Sequence, residues 1–353
     1  MLLHNHIDRR IQKQKLEQSQ EERITLSFYK YTHINAPQAF RDQLYADWSE
    51  LGVFGRVYIA QEGINAQISV PQKHFQALQD NLDRVDCLQS IRLNLAVEDD
   101  GKSFYILKIK VKKKIVADGL NDADFDVTEK GKHVDAEQFN QLTDEPNTVV
   151  VDMRNHYESE VGHFVNAILP DADTFRDALP IVKEKLAPYR DRNIIMYCTG
   201  GIRCEKASAY FKHLGFNNVY QLEGGIIKYA QDVKEKGLDN KFRGKNFVFD
   251  ERLGEKITED IISACHQCGK PCDTHTNCKN DTCHLLFIQC DDCADHYEGC
   301  CSDQCKDFTH LSQEEQQKLR KHYRKKRNIF KKGRADHLKI QRAKSPVLSS
   351  KNS

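Results

Sequence analysis

The chain has 353 residues, of which 39% are hydrophobic and 30% are charged, and its formal net charge is +1. This length predicts two or three domains, and the lack of an apolar run of about 18 residues excludes a transmembrane helix. The first 23 residues are charged and lack the apolar core of a signal peptide. We therefore expect a cytoplasmic protein, in which a cysteine-rich segment binds metal rather than forming disulfides.

Charge is distributed unevenly along the chain. Residues 318–344 contain thirteen lysines and arginines but only one acidic residue, Asp336, so the rest of the chain is acidic. A basic segment on an acidic protein indicates either a polyanionic partner, with RNA as the leading candidate, or a solvated tail. We expect neither a membrane nor DNA as a partner.

Residues 1–23 are predicted to be a polar extension, and residues 24–116 an α+β domain. Strands are predicted at 24–32, 54–61, 65–70 and 104–116, with helices at 36–51 and from Pro71 onwards. This order is the ferredoxin-like pattern, in which the segment 104–116 is the closing strand. Alternation along that strand places three lysines on one face, which either contacts RNA phosphates or is simply solvated: Lys108, Lys110 and Lys112.

An acidic stretch at 117–130 is predicted to be a linker, and residues 131–240 an α/β domain. Strands at 148–153, 193–197 and 218–221 alternate there with helices at 173–186 and 205–214. Such alternation predicts a parallel sheet with its active-site loops at the carboxyl ends of the strands. The remaining segments are predicted to be a connector with a short strand at 246–250, a cysteine-rich zinc module and a basic tail: residues 241–264, 265–310 and 311–353.

The loop after the strand at 193–197 begins with Cys198. It reads Cys198-Thr199-Gly200-Gly201-Ile202-Arg203 and leads into a helix. Backbone N–H groups at a helix N-terminus favour an anion, and glycines let the loop curl around it. Because Arg203 adds positive charge, we expect Cys198 to be a thiolate nucleophile of lowered pKa rather than a buried structural cysteine.

The size of this loop favours sulfur chemistry over phosphate chemistry. Tyrosine phosphatases use a Cys-x5-Arg loop, whereas four residues separate Cys198 from Arg203, and the smaller loop suits the extra sulfur of a persulfide. Cys204 either resolves an oxidised or persulfidated Cys198 as a disulfide or is a small buried helix residue. Asp152 and Arg154, at the end of the neighbouring strand, are expected to organise the loop and the domain rather than to react.

Ten of the thirteen cysteines lie between Cys265 and Cys305. Two C-x2-C pairs separated by 21 residues are typical of a structural zinc ribbon: Cys265 with Cys268, and Cys290 with Cys293. The other cysteines could form a second site, with His275, His284 or His296 as alternative ligands: Cys272, Cys278, Cys283, Cys300, Cys301 and Cys305. A module this short buries little apolar area, so the metal is expected to supply folding energy. The alternatives are disulfides or free thiols and, less favoured, an iron–sulfur cluster.

Zinc knuckles followed by a basic arm are typical of RNA binding through phosphate contacts and base stacking. Aromatic residues are interleaved with the basic residues of the tail. The predicted RNA contacts in the tail are Arg324, Lys325, Lys326 and Arg327.

Several segments together resemble one family. Residues 150–154 with Glu158, Gly162-His163 and Ala167 look like the first rhodanese signature, and the Cys198–Arg203 loop with Gly224-Gly225 resembles the second. More narrowly, the segments 197–206, 247–252 and 265–269 are similar to the tRNA uridine hydroxylases, which contain a rhodanese domain. The resemblance covers roughly residues 24–310. Asn166 departs from the common rhodanese pattern, which has glycine at that position.

The resemblance implies oxygen-dependent hydroxylation of the wobble uridine, position 34, of tRNA to 5-hydroxyuridine. It also implies that Cys198 is the catalytic, persulfide-forming cysteine, that O2 is a co-substrate and that a sulfur donor is a further candidate partner. No nucleotide cofactor motif is evident. The alternatives are a thiosulfate or persulfide sulfurtransferase, which has no need of the lysine-faced domain, and a non-catalytic RNA-binding zinc protein, which has no need of an intact Cys198 loop.

Overall fold

The structure is a computed structural model that describes residues 9–121, 124–323 and 332–338. A first helix, α1 (Arg9–Gln18), precedes the N-terminal domain, and its Lys13 pairs with Glu251 at 3.2 Å. Within the described residues, no helix has both the length and the apolar character needed to cross a membrane.

The N-terminal domain is a five-stranded sheet with two helices packed on one face. Its elements are β1 (Arg23–Tyr31), α2 (Pro37–Glu50), β2 (Phe54–Ala60), β3 (Gly63–Pro71), α3 (Phe75–Asp83), β4 (Asn94–Leu95) and β5 (Leu107–Val111). The strand order is β4-β1-β3-β2-β5, with antiparallel pairs except for β2 and β5. Because side chains alternate along a strand, Leu26 and Phe28 of β1 pack against Leu44 and Trp48 of α2. Ser27 and Tyr29 consequently lie on the opposite, polar face.

The order β4-β1-β3-β2 is the ferredoxin-like one, but the predicted position of the closing strand was wrong. The closing strand is β4, which has only two residues, and β5 instead lies at the far edge, parallel to β2. The alternation of polar and apolar residues along β5 correctly predicts a strand. It does not predict which strand β5 pairs with, because pairing depends on long-range contacts.

The central domain is built on a four-stranded sheet in the order β6-β10-β9-β7, and all of its strand pairs are parallel, as predicted. Its elements are β6 (Lys132–Val134), α4 (Ala136–Asp144), β7 (Thr148–Asp152), α5 (His156–Ser159), β8 (Gly162–Phe164), α6 (Phe175–Leu186), β9 (Asn193–Tyr197), α7 (Ile202–His213), β10 (Val219–Leu222) and α8 (Gly225–Lys236). Helices cover both faces, as parallel sheets require. Ile194 and Met196 of β9 pack towards α6 and α7, and Ile195 and Tyr197 pack towards α4 and α8.

The predicted connector, residues 241–264, is part of a second small sheet. The strand β11 (Phe242–Asn246) pairs with β8 and with β12 (Glu255–Lys256). The strand predicted at 246–250 was therefore wrong, since the strand ends at Asn246. The residues after it form a loop in which Phe247 and Val248 are buried.

The C-terminal module is a small hairpin followed by helices. Its elements are β13 (His275–Asn277), β14 (Leu286–Ile288), α9 (Asp291–His296), α10 (Asp303–His310) and α11 (Gln313–Tyr323). Residues 332–338 return to this module, where Ala335 and Leu338 are buried against Phe287 and Cys301. The segment predicted as a basic tail therefore includes one helix and one docked segment.

A buried ion cluster joins the N-terminal and central domains. Lys206 of α7 is 1% exposed and pairs with Glu62, in the β2–β3 turn, at 2.6 Å and with Asp118 at 3.2 Å. Lys114 also pairs with Asp118, at 2.8 Å. Because a buried charge is stable only when it is paired, this cluster fixes the polar face of the N-terminal sheet opposite the loop that begins at Cys198.

Candidate active site and cysteine clusters

The loop of Cys198 is shaped by glycine and by the neighbouring domain. Cys198 directly follows β9, and α7 begins at Ile202. Gly201 has φ +101°, in the left-handed region, and a Cβ there would lie 2.7 Å from the Tyr29 hydroxyl. Glycine is therefore required at 201 for its backbone angle and for space. Gly200 has no such contact, since a Cβ there would lie 3.7 Å from Asn94 Nδ2.

The surroundings of Cys198 favour its thiolate. Its side chain is fully buried, and the backbone N–H of Gly201 donates to Sγ at 3.2 Å. Burial raises the pKa of Cys198, but a hydrogen bond from Cys204, the positive charge of Arg203 and backbone N–H groups lower it to about 6. Such a thiol is mostly ionised near neutral pH and is a competent nucleophile.

Cys204 is the third residue of α7, inside the first helical turn, and is fully buried. Burial and its interaction with Cys198 raise the pKa of Cys204 well above its ordinary value. Cys204 therefore remains a thiol and donates its S–H to the Cys198 thiolate.

Arg203 is neutralised by a carboxylate that the sequence did not single out as its partner. Its guanidinium donates to both oxygens of Glu158, at 2.7 and 2.8 Å, and to Thr199 Oγ1 at 3.3 Å. Glu158 is fully buried, and it also accepts from the backbone N–H of Asn155 at 3.0 Å. The pair with Glu158 holds the Arg203 guanidinium in place near Cys198 while balancing its charge.

Asp152 and Arg154 form a second buried pair below the loop. Arg154 Nη2 donates to Asp152 Oδ2 at 2.7 Å and to the carbonyl of Gly162 at 2.6 Å. The Tyr197 hydroxyl donates to the same Asp152 oxygen at 2.8 Å. These contacts join the ends of β7 and β9 to β8, and neither side chain lines the cavity described next.

Cys198 lines a cavity of about 650 Å³ between the central domain and the polar face of the N-terminal sheet. This volume is within the range of small-molecule sites. The walls come from the sheet, the Cys198 loop, the loop after β11 and the docked segment, and include Ser27, Tyr29, Tyr58, Asn65, Gln67, Asn94, Thr199, Gly200, Ile202, Arg203, Phe249, Arg252 and Lys332. The Asn94 Nδ2 group donates to the carbonyl of Gly200 at 3.4 Å, and its Oδ1 is buried without a hydrogen-bond partner among the described residues.

The predicted lysine face continues from this cavity to the edge of the sheet. Tyr58 lines the cavity and is the cross-strand neighbour of Lys110, and Arg56 is the neighbour of Lys108. Lys112 Nζ lies 5.9 Å from the centre of the Tyr58 ring. Lys108 and Lys110 are exposed. The predicted contacts in the tail, Arg324 to Arg327, lie outside the described residues.

Eight of the ten clustered cysteines form two groups of four. Within each group the sulfur atoms lie within 4.8 Å of one another: Cys265, Cys268, Cys290 and Cys293, and Cys278, Cys283, Cys301 and Cys305. The predicted second set was thus too large, since Cys272 and Cys300 belong to neither group. His275 also belongs to neither group, and its ring packs against that of Phe247, with the two ring centres 5.1 Å apart.

The spacing of the sulfur atoms fits one tetrahedral ion in each group. The separation is 3.5 Å for Cys268 and Cys290 and 3.7 Å for Cys283 and Cys301. A disulfide requires about 2.05 Å, whereas four thiolates about 2.3 Å from zinc lie about 3.8 Å apart. In each group a backbone N–H also donates to sulfur at 3.4 Å, from Cys290 to Cys265 and from Cys301 to Cys278.

Sequence reasoning missed Tyr29, Asn94 and Lys332 as cavity residues, and it missed Glu158 as the partner of Arg203. The alternation of Ser27, Tyr29 and Tyr31 with apolar residues along β1 predicts that Tyr29 lies on the polar face of the sheet, but it does not show that this face meets the Cys198 loop. The other three carry no local signal, because they reach the site only through tertiary contacts.

Three family models match the chain. They are a UPF0176 acylphosphatase like domain over residues 23–115, a rhodanese-like domain over 135–232 and a rhodanase C-terminal domain over 243–306. A protein named tRNA uridine(34) hydroxylase from Enterobacter sp. (strain 638) is 54% identical over 334 residues, which cover 94% of this chain and 96% of that protein. Proteins of the same name are 54% identical in Photorhabdus laumondii, over 94% of this chain and 95% of that protein, and 53% identical in Leptospira interrogans, over 94% and 90%.

Proposed function

The chain belongs to the tRNA uridine(34) hydroxylase family, and we propose that it hydroxylates uridine 34 of tRNA to 5-hydroxyuridine, with O2 as co-substrate and Cys198 as the catalytic thiolate. The observation that carries this proposal is the position of Cys198. Its loop opens into a cavity of about 650 Å³ walled by a second domain, and a lysine-bearing sheet face leads away from that cavity. A simple sulfurtransferase needs only the Cys198 loop, and neither the second domain nor the lysine-bearing face.

A flipped-out uridine suits the polar wall of the N-terminal sheet. The buried Asn94 Oδ1 lacks a hydrogen-bond partner among the described residues, and the N3–H of uracil is a donor that can supply one. Tyr29 and Tyr58 provide aromatic rings in the same wall, which is the usual support for an unstacked base. Enzymes that act on one base take it out of the stack in this way.

The thiolate activates the carbon that is hydroxylated. Its lone pair forms a bond to C6 of uracil, and the C5–C6 π electrons move onto C5 and O4 as an enolate. C5 is then electron-rich and open to oxidation, and the S–C6 bond breaks when the C5–C6 double bond reforms. Hydroxylation by O2 breaks the O–O bond, so one oxygen atom enters the product and the other leaves as water. The two electrons required come from an external thiol or from Cys198 and Cys204 as they form a disulfide, and the two protons come from Cys204 and solvent.

The other predicted site residues support Cys198 rather than react. Thr199, Gly200, Gly201 and Ile202 form the loop, and Arg203 stabilises the thiolate from its pair with Glu158. Asp152 and Arg154 hold the strand ends on which the loop rests. Cys204 donates the hydrogen bond that keeps Cys198 ionised, and its position beside Cys198 also supports the persulfide or disulfide chemistry of this loop.

Zinc is the metal that best fits both cysteine groups, because all ligands are thiolates at tetrahedral spacing. An iron–sulfur cluster of four irons needs a wider spacing, since each thiolate caps a different iron. With no open position among four cysteines, each ion is structural. It would supply the folding energy of a module that has little apolar core.

The tRNA is proposed to contact Lys108, Lys110 and Lys112 on the sheet, with Arg324, Lys325, Lys326 and Arg327 as further contacts. Phosphates are the partners that such lysines and arginines bind. The cytoplasm, where tRNA is found and thiols remain reduced, is the proposed location. A sulfur donor is a partner only if Cys198 works as a persulfide.

The test is nucleoside mass spectrometry of tRNA from cells that lack this protein, complemented with the wild type or with Cys198→Ser. We expect 5-hydroxyuridine and nucleosides made from it to be absent without the protein and restored only by the wild type. An unchanged nucleoside profile would contradict the proposal, and thiosulfate sulfurtransferase activity would then be measured.

A further inference from the structure

Lys332 adds a third cation to the wall of the catalytic cavity. The other two cations in the described part of that wall are neutralised, Arg203 by Glu158 and Arg252 by Asp250 at 2.6 Å and Glu255 at 2.7 Å. Lys332 is half-buried and has neither an ion pair nor a hydrogen bond to any described residue. Its described contact is the ring of Tyr157, whose centre lies 5.4 Å from Nζ. Its charge is therefore available to a ligand.

The segment 332–338 is held so that Lys332 reaches the cavity. Arg334 forms ion pairs with Asp171 and, at 3.5 Å, with Asp173, which itself lines the cavity. Ala335 and Leu338 are each 1% exposed and pack beside the second cysteine group. The docking of this segment thus depends on the module that the second metal ion would fold.

The backbone at Lys332 is unusual for its residue type. Lys332 has φ +39° and Gly333 has φ +76°, so two successive residues adopt the left-handed region. A non-glycine residue rarely does so, and such a conformation persists only where the surroundings enforce it, often at a ligand site. The turn brings the lysine side chain into the cavity wall before the chain reaches its anchor at Arg334.

Lys332 is a half-buried ammonium that forms no ion pair with the described residues, and the carboxylate that acts on its charge, Glu158, is already paired with Arg203. Such a group calls for an anionic oxygen. A uridine nucleotide in this cavity presents one in its phosphate, and the addition of Cys198 to C6 creates a second at O4. We propose that Lys332 binds an anionic oxygen of the substrate nucleotide in the catalytic cavity. This inference rests on the proposed function, because the reaction places the nucleotide beside Cys198.

The test compares Lys332→Met, which keeps the length of the side chain but removes its charge, with Lys332→Arg. Lys183→Met, at an exposed position on α6, is the matched control. Binding of full-length, metal-loaded protein to tRNA is measured at several salt concentrations, and the rate of hydroxylation is measured at saturating tRNA. Melting temperature reports on the fold of each variant.

If the partner is a phosphate, Lys332→Met weakens binding about tenfold, as expected for one charge-assisted hydrogen bond. It also lowers the slope of log affinity against log salt by about 0.7, and Lys332→Arg retains most of the affinity. If the partner is the O4 enolate, binding is unchanged and the saturating rate falls about tenfold or more.

Two results would overturn the inference. One is a Lys332→Met protein that matches the wild type in both binding and rate. The other is an equal loss in the Met and Arg variants together with a lowered melting temperature, which would make Lys332 a structural residue. A wild-type protein that makes no 5-hydroxyuridine would instead refute the proposed function, while the binding comparison would stand.

Discussion

At the scale of single residues, the reactivity of Cys198 depends on groups that come from separate parts of the chain. The loop itself supplies the backbone N–H groups and Arg203, which could be predicted from the Cys-x4-Arg sequence. Glu158, which holds Arg203, precedes it by 45 residues, and Tyr29 belongs to another domain. These partners could not be predicted, because no local pattern links positions that meet only after folding.

The pKa of Cys198 can be tested by alkylation. We expect the rate of modification by iodoacetamide to rise with pH, with a midpoint near 6, and to level off above it, because only the thiolate reacts. Cys204→Ala removes a hydrogen-bond donor and should raise the midpoint, whereas Cys204→Ser keeps a donor. Peptide mass spectrometry follows Cys198 among the other cysteines. A wild-type midpoint at the ordinary value of about 8.5 would contradict this account.

The two loop glycines should respond differently to substitution. Gly201→Ala combines φ +101° with a contact of 2.7 Å to the Tyr29 hydroxyl, so we expect it to lower the free energy of unfolding by about 1–3 kcal/mol. Gly200→Ala meets only ordinary contacts and should change it by less than about 0.5 kcal/mol. Denaturant unfolding measures both. Equal effects would show that the Tyr29 contact does not constrain the loop.

At the scale of secondary structure elements, sequence periodicity predicts the positions of strands and helices better than it predicts which of them pair with each other. The parallel order of the central sheet follows from strand–helix alternation, and β9 was predicted with its observed bounds. In the N-terminal domain, β5 was identified as a strand but placed at the wrong edge, because a closing strand as short as β4 (Asn94–Leu95) has no detectable alternation. The lysines of β5 lie beside the cavity, although β5 was predicted at the other edge of the sheet.

Charge reversal on β5 tests whether this face meets tRNA. We expect Lys108→Glu with Lys110→Glu to weaken tRNA binding more than tenfold at low salt and to flatten its salt dependence, since two phosphate contacts are lost. The control is Lys183→Glu with Lys234→Glu, which makes the same change in charge at exposed positions on α6 and α8. Filter binding at several salt concentrations compares them. Equal weakening by the control pair would mean that only net charge matters.

At the scale of the whole molecule, the segments that follow the central domain contribute to the cavity as well as to their own fold. The loop after β11 lines the cavity, and the segment 332–338 reaches it from the second cysteine group. A zinc ribbon could be predicted from the C-x2-C pairs. The four cysteines of the second group could not, since six candidate cysteines offered several combinations. The resemblance to the tRNA uridine hydroxylases, drawn from short motifs, is confirmed over 94% of the chain.

Metal content should follow the two groups of four cysteines. We expect two zinc ions per chain, one for each group, and the loss of one ion in Cys268→Ser and in Cys283→Ser. Cys272→Ser, in the same module but outside both groups, should retain both ions. Plasma mass spectrometry of purified protein gives the stoichiometry. A Cys272→Ser protein with fewer ions than the wild type would contradict the assignment.

In the proposed reaction, Cys198 directs oxygen from O2 onto uridine 34 of tRNA. The most direct measurement is incubation of purified protein with unmodified tRNA and a thiol reductant under isotopically labelled O2, followed by nucleoside mass spectrometry. We expect one labelled oxygen atom in 5-hydroxyuridine with the wild type and no product with Cys198→Ser. Product formed by Cys198→Ser, or product whose oxygen comes from water, would contradict it.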